Sequence, residues 1–102
     1  MKKFTLCIGL FDKVTKRQEI NLLDAYKIAS NIFAQTTGGA TITEGRGVYT
    51  HHDGTVVIEP TLVCTVYGAT LEQIKKTADI LKCLLNQESI AIEETESNSM
   101  FY

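Results

Sequence analysis

An Asp53-Gly54 turn signal stands between two β-rich runs, Gly47-Val-Tyr49-Thr-His51-His52 and Thr55-Val-Val-Ile-Glu59, and it predicts a β-hairpin in the middle of the chain. Asp-Gly readily takes the positive φ angles of a two-residue turn, so the returning strand runs antiparallel to the one before it. Every other element must be arranged around that hairpin. On its N-terminal side, residues 3–11 set Phe4, Leu6, Ile8 and Leu10 against Thr5, Cys7, Gly9 and Phe11, the period-two pattern of a strand.

Between these strands lies a helix. Asn21 is placed as its N-cap with Asp24 in the first turn, and Leu22, Leu23, Tyr26, Ile28, Ala29, Ile32 and Phe33 recur at three-and-four spacing as far as Gly38-Gly39. The strand that follows starts at Ala40 and passes through Gly45-Arg46-Gly47, where the glycines predict a bulge or a close backbone approach. Its partner runs to Tyr67 and contains Pro60, which has no N–H for a ladder and so predicts a local bulge or an open side there. A second helix starts at the capping box Thr70…Gln73, with Leu71, Ile74, Ala78, Leu81, Leu84 and Leu85 as its apolar stripe. Ser89–Thr95 reads as a last strand.

The order strand, helix, strand, strand, helix, strand, with right-handed crossovers, predicts an α+β ferredoxin-like βαββαβ plait: a four-stranded antiparallel sheet, order 4-1-3-2, with two helices on one face. Residues 1–96 form one domain in this reading, and 97–102 a polar C-terminal tail ending in Met-Phe-Tyr. The second sheet face is left uncovered. An open face with Cys7, Phe11, Val63 and Tyr67 on it predicts association of the chain with itself as a dimer or trimer.

Charge is uneven along the chain: residues 1–51 carry seven Lys/Arg against four acids, and residues 52–102 three against eight. The last strand should lie beside the first, bringing Glu93, Glu94 and Glu96 near Lys2 and Lys3 as cross-strand pairs. No basic face with interleaved aromatics is visible, which argues against nucleic-acid binding. The N-terminal apolar run is too short and interrupted for a signal peptide or membrane span, so the expected location is the cytoplasm, with no membrane partner. Cys7, Cys64 and Cys83, odd in number and widely spaced among apolar neighbours, read as buried thiols. His51 and His52 are adjacent on a strand and point to opposite faces, so they read as solvated hairpin residues, with no metal site expected.

The candidate ligand contacts are Arg46, exposed between two glycines, with Glu44 on its face and Tyr49 joining them if a bulge at Gly47 shifts the alternation. Lys13 and Arg17, with Lys16, precede the first helix, where cations near a helix N-terminus make a workable anion site. Glu59 either faces water or pairs with Arg46 across the hairpin. No nucleophile–base pair, Gly-x-Ser-x-Gly element or cofactor motif is present, so catalysis has no candidate residue and no cofactor is expected.

Three segments, Ile8-Gly-Leu-Phe-Asp12, Gly47-Val-Tyr49 through Glu59, and Leu85-Asn86-Gln87-Glu88-Ser89, resemble a group of small αβ-plait proteins of phages and Gram-positive bacteria. The resemblance covers most of the chain and carries no activity with it. In element order the chain is also similar to PII-type signalling proteins, which implies an oligomer binding a nucleotide between subunits; the short Asp-Gly turn departs from the long PII loop. The leading expectation is a non-catalytic homo-oligomer that binds a nucleotide-derived anion, as a phage sequestering or sensor protein. The alternative is an interaction module or inhibitor docking on a host protein through the open face or the tail. A third is an enzyme working in an open-face cavity.

Overall fold

Six elements are present in a computed structural model that describes residues 1–102: β1 (Lys2–Gly9), α1 (Leu22–Thr37), β2 (Thr41–Thr50), β3 (Val56–Tyr67), α2 (Leu71–Leu84) and β4 (Ala91–Glu96). They form one antiparallel sheet in the order β2-β3-β1-β4, the expected ferredoxin-like plait. Period-two alternation sorts the two central strands. Phe4, Leu6 and Ile8 of β1 and Leu62, Cys64 and Val66 of β3 are buried on the helix-covered face. Their neighbours Thr5, Cys7, Gly9, Thr61, Val63 and Thr65 therefore face the other way.

Both helices are capped as their sequences require. Asn21 Oδ1 accepts from the Asp24 N–H at 2.8 Å, and α1 ends at Gly38 with φ 85°, a backbone that disfavours a Cβ. Thr70 and Gln73 close a reciprocal capping box on α2. The helices contribute Ala25, Ala29, Phe33, Ile74, Ala78 and Leu81 to a core cluster of 15 residues. Each large side chain buried there contributes about 1.5–3 kcal/mol by leaving water. Thr77 is fully buried within it, and its hydroxyl is satisfied by Gln73 O at 2.7 Å and Thr36 Oγ1 at 2.6 Å. Leu23, Tyr26, Leu71 and Leu84, expected in the apolar stripes, are exposed: Tyr26, Leu71 and Leu84 lie at the margins of each helix's buried face, and Leu23 points to the solvent side of α1.

The hairpin differs from expectation in its turn. Thr50 pairs with Val56, His51 N–H donates to Thr55 O at 2.9 Å, and Gly54 N–H donates to His51 O at 2.9 Å. Of the turn residues only Gly54 has positive φ, 89°, so His52-Asp53-Gly54 is a three-residue loop with a bulged glycine in place of the two-residue turn. Asp53 Oδ1 accepts from the Thr55 N–H at 2.8 Å, and this bond holds its carboxyl below the usual carboxylate range.

No bulge interrupts β2. Its register against β3 is continuous from Thr41↔Thr65 to Thr50↔Val56. The glycines serve close approach: a Cβ on Gly47 would stand 3.0 Å from Thr61 Oγ1, the oxygen that accepts the Gly47 N–H at 3.1 Å. Pro60 sits opposite Arg46 without disrupting the ladder. Its carbonyl accepts from Leu10 N–H at 3.0 Å on the β1 side, just past Gly9 where β1 ends, so its missing donor leaves no gap in the ladder. On the opposite edge Lys2 lies 3.6 Å from Glu94 and 3.4 Å from Glu96, exposed pairs of small energetic weight. Lys3 and Glu93 fall on the other face, and Lys3 stands 6.0 Å from the Tyr67 ring centre. No helix is long and apolar enough to cross a membrane.

Candidate functional site on the open sheet face

A continuous register in β2 decides which expected contacts meet. Because side chains alternate, Glu44 and Arg46 project on the helix side of the sheet, and Gly45, Gly47 and Tyr49 on the open side. Arg46 and Tyr49 are therefore separated by the sheet itself. Arg46 is exposed near Leu22, Ile58 and Pro60 and makes no ion pair with Glu44 or Glu59. Glu59 pairs in register with Gly47, which puts it on Tyr49's side and rules out the cross-hairpin partnership with Arg46. Arg17 is engaged by Glu19, Nε to Oε1 at 2.8 Å, which pushes the guanidinium's pKa up and the carboxyl's down.

On the open side lies a cleft of about 480 Å³. All three stretches 8–12, 47–59 and 85–89 contribute to its wall, although each is separated from the next by a helix or more of chain. Its floor is the Glu59 side chain laid across Gly9. A Cβ at Gly9 would collide with that carboxylate, so glycine is what lets the acid lie there. Glu59 Oε2 accepts the Phe11 N–H at 3.0 Å, and its Oε1 makes no bond within the chain. Thr61, buried next to it, bridges the strands through Gly47 N–H at 3.1 Å and Glu59 O at 3.2 Å.

The hairpin wall carries Tyr49 and His51, whose rings meet edge to face at 5.4 Å and 85°. Partial burial and then the Glu59 charge raise the Tyr49 phenol above its ordinary pKa. His51, expected to be merely solvated, is exposed and yet lines the cleft. Cys7 lies on the opposite wall. Cys7 and Cys83 are exposed, contrary to the expectation of three buried thiols, whereas Cys64 faces the core and burial pushes its thiol up to about 12. The expectation failed for Cys7 because apolar sequence neighbours on a strand point to the opposite face.

Loops close the far end. Asp12 Oδ2 accepts from Asn86 Nδ2 at 2.8 Å, Lys13 N–H donates to Asn86 O at 3.0 Å, and the buried Gln87 Nε2 donates to Phe11 O at 2.8 Å. These bonds tie the β1–α1 loop to the α2–β4 connection, and the Asn86 bond, followed by those from Val14 and Thr15 N–H, holds the Asp12 carboxyl below its ordinary range. Lys13 and Lys16 line this end of the cleft, so of the expected ligand contacts Lys13 and Tyr49 come together and Arg46, Glu44 and Arg17 stand elsewhere. Glu59 is the site residue that sequence reasoning left unassigned. The available signal was Gly9 in a strand, a residue that makes room for something distant. No three His, Cys, Asp or Glu side chains converge as a metal-ligand set.

No family model matches the chain, and no curated protein matches it in sequence. Solved structures with a similar fold include a phage SAM lyase in complex with S-methyl-5'-thioadenosine, at 22% identity and TM-score 0.70, covering 93% of this chain and 80% of that one. CutA from Synechococcus elongatus aligns at 12% identity and TM-score 0.60, covering 94% of this chain and 75% of that one. Divalent ion tolerance protein CutA1 from Ehrlichia chaffeensis aligns at 11% identity and TM-score 0.58, covering 98% and 83%. At these identities the likeness is one of fold, and it is the fold predicted from the order of elements.

Proposed function

We propose that this chain associates with itself and binds an adenosyl sulfonium of the S-adenosylmethionine class in the open-face cleft, cleaving it to S-methyl-5'-thioadenosine. The observation that carries the reading is the Glu59 carboxylate, held across Gly9 by Phe11 N–H with one oxygen left unbonded. A carboxylate floor favours a cationic centre or a ribose diol over the bare anion expected from the sequence. Tyr49 and His51 offer ring faces and edges to an adenine on the same side. The likeness of fold to a phage SAM lyase holding S-methyl-5'-thioadenosine supports the same ligand class.

Cleavage breaks the bond between sulfur and the amino-acid arm. The electron pair goes to sulfur, leaving a neutral thioether, while an oxygen of the arm's own carboxylate bonds to the carbon that sulfur leaves, so the fragment departs as a lactone with no proton, water or redox partner required. Because this discharges the sulfonium, an acid close to sulfur favours bound substrate over the transition state. Glu59 is therefore assigned to holding the ligand, and bond breaking to a ligand excluded from water and held in a reactive shape. Tyr67, Val57 and Val63 extend the open face around the cleft, and a second or third copy laid over it would exclude that water.

Purified protein incubated with S-adenosylmethionine, followed by mass spectrometry of the products and light scattering for subunit number, tests this reading. Accumulation of S-methyl-5'-thioadenosine by an oligomer is expected. Tight binding without product would make the chain a sequestering protein on the same site. Absence of binding at millimolar ligand would remove the reading altogether.

A further inference from the structure

The cleft is electrically lopsided. The Glu59 carboxylate forms its floor, while Lys13 and Lys16, on the loop between β1 and α1, stand at one end. Neither lysine makes an ion pair. Asp12, their neighbour, is already occupied: Oδ2 by Asn86, and Oδ1 by the N–H groups of Val14 and Thr15 at 2.8 and 3.1 Å. Lys82, the other cation nearby, lies 3.5 Å from Asp79. Glu88 lines the same end without an ion pair, which leaves two ammonium groups facing one uncommitted acid.

The backbone pins both lysines. Lys13 N–H is bound to Asn86 O, and Lys16 N–H donates to Asp12 O at 2.9 Å. Lys16 sits at φ 62°, left-handed backbone that glycine or asparagine would adopt more readily. The loop is closed beneath it by Asp12 N–H to Arg17 O at 2.9 Å and by the Phe11–Gln18 bridge. A side chain with no local partner is thus displayed at a costly backbone position on the rim of the cleft.

We propose that Lys13 and Lys16 read the carboxylate of the ligand's amino-acid arm and so make the cleft selective for the zwitterionic sulfonium. The inference rests on the adenosyl-sulfonium reading and adds its specificity element. S-adenosylmethionine carries a cationic sulfur and a carboxylate on one short arm. A floor carboxylate alone attracts the first and repels the second; two ammonium groups at the cleft's end offset that repulsion by charge-assisted hydrogen bonds.

The test is calorimetric titration of the full chain, in the cold before turnover, with three probes: S-adenosylmethionine, its decarboxylated analogue, and S-methyl-5'-thioadenosine. Wild type should prefer S-adenosylmethionine over the decarboxylated analogue by roughly tenfold or more, the effect of a hydrogen bond between charged groups. In the double variant Lys13→Met/Lys16→Asn, whose asparagine accepts left-handed backbone, that preference should fall to near parity. S-methyl-5'-thioadenosine, which has no amino-acid arm, should bind both proteins equally, and this reports an intact cleft. Parity between the two sulfoniums in wild type, or an undiminished preference in the variant, overturns the lysine assignment while leaving the ligand class standing. Failure of wild type to bind any of the three overturns both.

Discussion

The covered face of the sheet presents Phe4, Leu6 and Ile8 beside Leu62, Cys64 and Val66, whereas one residue along the same strands the open face presents Cys7, Gly9, Glu59, Thr61 and Val63. The first set is sealed by two helices and has no free polar atom to offer; the second keeps an acid and a thiol within reach of solvent. Both derive from one alternation. Glycine and threonine on β1, β2 and β3 thus mark where the sheet is shaped for something other than its own core.

Breaking the covered face should give the largest effect. Phe33→Ala or Phe4→Ala, each removing a side chain buried to 1% exposure or less, is expected to cost about 3–5 kcal/mol in urea denaturation. Cys7→Ala, one strand position from buried Leu6, should cost under about 1 kcal/mol, because an exposed side chain leaves no cavity. Equal losses would mean that the two faces are not distinct in packing.

Gly9→Ala sharpens the comparison from the other side. The new methyl must displace the flexible end of the Glu59 side chain, so ligand affinity should fall while stability drops by less than about 1 kcal/mol, roughly one hydrogen bond. In the Gly9→Ala/Glu59→Ala pair the contact is gone, and a favourable coupling energy of about 0.5–1 kcal/mol is expected in a double-mutant cycle. Additive losses would show that the two residues do not meet. On the proposed function, Glu59→Gln alone should raise KM and leave kcat unchanged or higher, as befits a group that favours bound substrate over the transition state.

Thiol labelling reads the same contrast without mutation. Cys7 and Cys83 should react in the native protein, while Cys64, buried and with its thiol pushed up to about 12, should react only on unfolding. Bound ligand should slow Cys7 and leave Cys83 unaffected. The smallest effect concerns the loop tie. Asp12 titrates below its unfolded value, so its contribution is present above the unfolded pKa and is lost as pH falls through the lower folded value. Protection factors at Val14 and Thr15, measured against the intrinsic exchange rate at each pH, should fall on that acid side, while amides of Leu6 and Ile8 stay protected; an unchanged protection factor at Val14 would remove Asp12 as the clasp.

Much of this architecture was legible in the sequence because alternation, caps and a turn signal are local. Asn21, Thr70–Gln73 and Asp53-Gly54 placed both helices and the hairpin, and the strand order followed from crossover handedness. The site was less legible, for a geometric reason. Tyr49 could join Arg46 only through a bulge at Gly47, and a one-residue difference in register moves a side chain to the opposite face. Glu59 was ambiguous because its position depends on Gly9, far away in sequence, and on the Phe11 N–H just beyond the end of β1 at Gly9. Lys16 looked like one cation of a solvated loop; its left-handed backbone and its lack of an acid partner are tertiary facts.

The most direct test of the central claim, that the open face and not the Arg46 face holds the ligand, is NMR titration of isotope-labelled protein with S-methyl-5'-thioadenosine. The account predicts amide shifts concentrated at Gly9, Phe11, Gly47, Tyr49, Glu59 and Thr61, with Glu44, Arg46 and Ile58 changing least. Shifts centred on Arg46 and Ile58, or no shifts at saturating ligand, would contradict it.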